Sequence, residues 1–329
     1  MIREAGTHMP MSDEVCSIDF GFYPKAFDKM SGPITIATLP NLDDKIKDVS
    51  SSGCVEGDWI YSPPSQVGEM FSRRIKTRPY SARIFGLPKT HRLSHTNSQG
   101  PTHLPFLVFC FGFFAGMRMS ETERGFLDAT PFVPGKAHDI VWLNDDSQFT
   151  AVQYADRFWT AHAAKPRIEV AMRGAIHSYF ISRTPTLLEF EEFIYLYTAL
   201  EGCHYVHSVI QGQDPTKILH NERIEKLCEA FSVSTPAWAD SKNSLVTKPR
   251  NATLHEGLFF DEPLGFQIFG GRNRNVQDGM LLLQMAALTS RLIIALLGME
   301  TCDYVRSPID LRQRYRVRLE ETGGPQQTQ

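Results

Sequence analysis

The 329 residues predict an α+β protein: a mixed α/β domain over residues 1–165, an all-α bundle over 166–318, and a disordered tail over 319–329. Three observations carry that reading. Before about residue 165 Pro, Gly and Ser are frequent and apolar runs are short, as in "SGPITIATLPNL", "CVEGDWIYSPPS" and "FVPGKAHDIVWL", which is the pattern of strands and turns. Beyond it, apolar residues recur at spacings of three and four, the period of a helix with one buried face. The closing stretch "EETGGPQQTQ" has too little apolar surface to offset the entropy of ordering it.

Within the first half the exception is 103–118, an apolar, aromatic segment expected as one buried helix under a small sheet. The polar stretch "HRLSHTNSQGPTH" (91–103) reads as a surface loop. In the second half "KPRIEVAMRGAIHSYFI" (165–181) places Ile168, Met172, Ala175, Ile176 and Tyr179 on one face. A second helix, 184–211, opens with Thr184 as N-cap and Pro185 at the first helical position. The segment 214–233 repeats the cap-then-proline signal, and 276–298 gives one more long apolar helix. Four or five helices with short connections make a bundle.

The composition, 42% hydrophobic and 22% charged, is that of a folded globular chain. A net charge of −3 gives no global attraction to nucleic acid or anionic lipid, so any such affinity is local. Six cysteines are scattered without CxxC spacing, which fits free thiols in a reducing compartment better than a disulfide framework. The first residues hold no apolar run of the signal-peptide kind. The segment 104–117 is too short to cross a bilayer, and 279–299, though long enough, is interrupted by Gln284 and Arg291. Both are expected as core helices, and the protein as cytoplasmic with no membrane partner.

One short stretch carries chemistry. "KPRNATLHEG" (248–257) sets Arg250, Asn251 and His255 within six residues. On a helix starting near Lys248, Asn251 and His255 share a face and Arg250 reaches the same side. Pro249 suits a first turn, so the helix's amino-terminal N–H groups are expected to add to an anion site at the motif. Arginine offers a fixed fork of donors to phosphate, histidine moves a proton near neutral pH, and asparagine orients either. That set suffices to cleave RNA through its own 2′-hydroxyl, with no metal and no cofactor. The plainer alternative is a set of polar residues that solvate a helix end.

The stretch resembles the R-x4–6-H signature of the HEPN superfamily, in its Arg-Asn-x3-His form, followed by a final apolar helix. The resemblance covers roughly 166–300. It implies a HEPN-like helical bundle, a homodimer, and a metal-independent endoribonuclease of antiviral defence, abortive infection or toxin systems, with RNA as substrate. A neutralising or activating protein partner belongs to that picture. Arg250 and His255 of two protomers would face each other across a cleft, Arg250 balancing charge on the phosphate and His255 acting as acid or base. Asn251 would support them, with Glu256 a further positioning candidate. Gly257 stands where some members carry a tyrosine that a partner enzyme nucleotidylates, which sets this chain apart from that route of silencing. The other reading is a non-catalytic HEPN-like module that binds nucleic acid or a protein within a larger complex.

Basic stretches extend the RNA expectation. "SRRIKTRPYSARIFGLPKTHR" (72–92) contains Arg73, Arg74, Lys76 and Arg78 and no acidic residue, with Tyr80 and Phe85 available to stack on bases. Arg272 and Arg274 in "GGRNRN" follow the motif, and "RQRYRVRL" alternates arginines, Arg314 among them, as on an edge strand. "CHYVH" (203–207) and the trio His91, His95 and His103 lack a recognisable zinc ligand set and are expected as structural. The chain has no GxxxxGK[ST], GxGxxG or GxSxG, so phosphate-loop, dinucleotide and serine-hydrolase chemistry have no support.

Overall fold

The computed structural model describes residues 15–68, 75–81, 83–242, 245–265, 278–309, 315–317 and 319; within these, the side chains of 65–68, 75–81, 278–279 and 315–316 are left aside. Alternation of buried and partly exposed residues along Ile34–Thr38 sets one face of a four-stranded antiparallel sheet. Its order is Cys16–Phe20, His91–His95, Ile34–Thr38, Lys29–Ser31. The segment expected as a loop from residue 91 therefore begins as an interior strand. His91, Leu93 and His95 point into the core while Arg92 faces out and pairs with Asp19, a period of two that the polar composition conceals.

A short helix, α1 (Leu42–Ser51), buries Val49. Beyond the sheet, α2 (His103–Ala115) packs against the first and last of its strands in chain order. All of α2 except Pro105 and Phe109 is buried, as expected for a core helix, and Gly116 ends it at φ 62°. The next helix, α3 (Asp145–His162), overturns the expectation of strands and turns up to residue 165. It is capped by Asn144, whose Oδ1 accepts from Ser147 N at 2.8 Å.

The helical half follows the apolar spacing. In α4 (Pro166–Ser182) Ile168, Met172, Ala175, Ile176 and Tyr179 are all buried. They meet α5 (Glu189–Ile210), where a Cβ at Gly202 would stand 3.0 Å from that of Ala175, so the absence of a side chain allows the close approach. The Thr184-Pro185 start is displaced: α5 opens at Glu189, with Glu191 Oε2 accepting from Leu188 N at 2.9 Å. Asp214 caps only a short 3-10 turn, Pro215–Lys217, before α6 (Arg223–Ala230). After α7 (Thr247–His255), α8 (Asp278–Ile294) runs into one π-helical turn, Ala295–Met299.

The stretch Met280–Met299 is long and apolar enough to cross a membrane, yet 72% of an 18-residue window within it is buried inside the fold. Its two polar interruptions are partnered within the fold: half-buried Gln284 accepts from Trp238 Nε1 at 2.9 Å, and Arg291 is fully buried. The short α9 (Asp303–Arg306) follows, and the strand Tyr315–Val317 pairs in parallel with Ile140–Trp142. One apolar cluster runs from Phe20 to Val317, so helices on both sides of residue 165 share it. All six cysteines are free thiols.

Candidate functional site

Val246, Pro249 and Thr253, three and four residues apart, are the buried face that docks α7 on the bundle. Thr253 Oγ1 lies 2.7 Å from Pro249 O and 3.1 Å from Leu258 O, fixing the helix to the turn after it. Phe259 in that turn packs on Phe193 of α5 at 5.3 Å between ring centroids. The opposite face carries the motif. Asn251, His255 and Glu256 are exposed and Arg250 is half-buried.

Arg250 Nη1 donates to Asn251 Oδ1 at 2.8 Å, and its Cζ stands 5.9 Å from the ring centroid of Tyr197 on α5. Burial pushes the Tyr197 hydroxyl up to about 12, with Glu201 adding to the rise, so the phenol is neutral. Among the described residues no carboxylate pairs with Arg250. Asn251 and His255 lie one turn apart on the same side, as their spacing predicts.

The amino-terminal anion site expected at the motif is not built there. The helix begins at Thr247, so the Arg250 N–H is already spent on Val246 O at 3.1 Å. His255 is the last helical residue and Glu256 the cap, at the end where carbonyl dipoles converge and repel an anion. Any grip on phosphate comes from side chains. Gly257, at φ 69°, is the left-handed residue that closes the helix, a conformation costly for a tyrosine.

Most of the basic residues expected to contact RNA cannot be placed with side chains. Arg73, Arg74, Arg272, Arg274 and Arg314 lie outside the described residues, and Lys76 and Arg78 are placed by backbone alone, in the strand Ile75–Ser81. The visible remainder of the 72–92 stretch is held by partners elsewhere in the chain. Arg83 makes two hydrogen bonds to Asp128, at 2.9 and 2.8 Å, Arg92 makes two to Asp19, and Lys89 donates to the carbonyls of Ser120 and Thr122. Phe85 is buried against Phe126 rather than free to stack on a base.

A cluster that sequence spacing does not reveal joins His95, His103 and Asp156 of α3, whose ligand atoms lie within 4.8 Å of one another. Both imidazoles reach Asp156 Oδ1 through Nε2, at 3.1 and 2.7 Å. Their Nδ1 atoms accept backbone N–H groups of Asn97 and Gln99, which fixes both rings as Nε2–H donors. A cation on Nε2 would need each ring to carry its proton on Nδ1, against those N–H donors, so the set is a hydrogen-bonded tie between strand, α2 and α3. His103 also stacks on Trp159 at 4.1 Å. In "CHYVH", burial drives the Cys203 thiol up to about 12 and His204 down to about 4, the values of core residues.

No protein-family model, no curated protein and no solved structure matches the chain.

Proposed function

We propose that this chain is a metal-independent endoribonuclease of the HEPN type whose reactive face is the outer side of α7. The observation that carries the reading is the state of Arg250: a guanidinium held by Asn251, with no carboxylate partner among the described residues, and an exposed histidine one turn further on. In the reaction, His255 takes the proton of the 2′-hydroxyl as that oxygen attacks the adjacent phosphorus. Arg250 balances the charge gathering on the phosphoryl oxygens. The P–O5′ bond breaks, and the leaving oxygen takes a proton from the second His255 of a homodimer, leaving a 2′,3′-cyclic phosphate. No step calls for a metal. Leu254, 51% exposed beside His255, supplies an apolar contact for two such faces. The setting that fits is a defence or toxin system with a neutralising or activating partner.

The alternative is a non-catalytic module that binds RNA or a protein. It is favoured by the motif's position on an open helix face, where one chain supplies a single histidine. Incubating the purified protein with total RNA beside a His255→Ala control decides between them. An endoribonuclease gives cleavage by the parent alone; intact RNA with a dimeric parent leaves the binding module.

A further inference from the structure

Between α2, α4 and the loop after Met117 lies a cleft of about 460 Å³, within the size range of small-ligand sites. Its basic residues are Arg118, Arg124, Arg173 and His177. Phe109 and Val170 form an apolar wall, and Ser120 and Thr122 add hydroxyls. Two of the arginines are ordinary. Arg173 pairs with Glu169 at 2.7 Å, and Arg124 stands exposed at the mouth.

Arg118 is different. It is half-buried, it lines this cleft on one side and a smaller one on the other, and it has no hydrogen bond or ion pair among the described residues. In the smaller cleft the other two arginines are satisfied, Arg83 by Asp128 and Arg183 by Glu192. A half-buried guanidinium whose five donors meet no protein acceptor keeps its fork open to an anion that enters the cleft. Burial lowers Arg118 to about 10, against a weak opposing pull from Glu121. His177 is held down to about 4 by burial and then by the positive charge of Arg118. One carboxylate, that of Glu121, also lines the cleft; it and Glu123 act on Lys89 as well, which offsets part of their charge.

We propose that this cleft is a binding site for a small phosphate-bearing molecule, its phosphate gripped by Arg118 with Arg124 at the mouth and His177 beside it, its apolar or aromatic body against Phe109 and Val170. The fork of the guanidinium matches two phosphate oxygens, and the hydroxyls of Ser120 and Thr122 are within the same lining. The site is independent of the α7 face and stands whether or not that face cleaves RNA.

The test is thermal melting and calorimetry of the full chain with inorganic phosphate, adenosine monophosphate, adenosine and a short RNA. Phosphate and the mononucleotide raise the melting temperature with concentration, adenosine does not, and the mononucleotide binds tighter than phosphate. Arg118→Met weakens both ligands roughly ten- to hundredfold, and without ligand it melts no lower than the parent because it removes no hydrogen bond or ion pair made among the described residues. Arg124→Gln, on the exposed loop, keeps the fold and weakens them by roughly threefold. The proposal is overturned if neither phosphate nor mononucleotide shifts the parent, if only the RNA binds, or if Arg118→Met binds as the parent does. It is overturned equally if Arg118→Met melts markedly lower or fails to fold, since Arg118 would then be structural.

Discussion

Arg291 and Arg250 stand on helices of one bundle under opposite demands. Arg291 is fully buried at the end of α8 and its donors meet Ala287 O, Ser307 O, Ser307 Oγ and Pro308 O at 2.7 to 3.3 Å, with Asp139 at 3.4 Å. Tyr304 lies under it at 4.3 Å and donates its own proton to Asp139 at 2.5 Å. Arg250 has one side-chain hydrogen-bond partner among the described residues, the neighbouring Asn251. A saturated guanidinium in the core specifies how α8, α9 and the 139 turn meet. An unsaturated one on a helix face is free to take an anion. Arg118 falls between them: half-buried like Arg250, it lines a cleft rather than an open helix face, and unlike Arg291 it is unsaturated.

That ordering predicts a graded set of responses. The largest is at Arg291: Arg291→Met leaves Asp139 without its cation and the carbonyls of buried Ser307 and of Pro308 without their donor, and costs about 3–5 kcal/mol, read as a lower urea midpoint. An unchanged midpoint would remove the distinction between the two regions.

Acid gives the next effect. His91, His177 and His204 are each held down to about 4, first by burial. The unfolded chain, with histidines near 6.5, takes up protons first as pH falls. Stability is therefore complete above about pH 6.5 and is lost progressively toward pH 4. His91, fully enclosed, contributes at most about 3 kcal/mol of that loss. Because Arg118 is the second cause at His177, Arg118→Met raises the His177 value and shrinks the acid loss, leaving the His91 part untouched. Melting curves from pH 7 to 4 for parent and variant measure both.

Smaller still is the effect of Arg118→Met at pH 7, a shift within about 1 kcal/mol without ligand. The smallest stability change is on α7, where Arg250→Ala and His255→Ala shift the unfolding free energy by no more than about 0.5 kcal/mol. A large loss at either would move Arg250 into the class of Arg291.

Where the sequence could be read, burial followed apolar spacing. The apolar face of α4 and the all-round apolarity of α2 and α8 were visible because leucine, isoleucine and phenylalanine mark buried positions directly. The His91–His95 strand was hidden because its inward residues include two histidines, which count as polar until their partners are known. In α3 the apolar residues are diluted by polar ones, although the Asn144-to-Ser147 cap was present in the sequence as a start signal. The start of α5 moved to Glu189 because a glutamate two residues inside the helix caps as well as a threonine outside it. At the candidate site, the shared face of Asn251 and His255 follows from their spacing. The tie of His95 and His103 to Asp156 spans about sixty residues of chain, and the cleft beside Arg118 depends on α4 closing over a loop. Neither leaves a local pattern.

Whether Arg250 and His255 do chemistry rather than packing is decided by incubating end-labelled RNA in EDTA with the parent, Arg250→Ala and His255→Ala, each first shown to melt at the same temperature. Fragments ending in 2′,3′-cyclic phosphate are expected from the parent alone, with cleavage reduced by roughly 10²- to 10⁴-fold in His255→Ala. Intact RNA in all three, or activity that EDTA abolishes and magnesium restores, would refute a metal-free ribonuclease at this face.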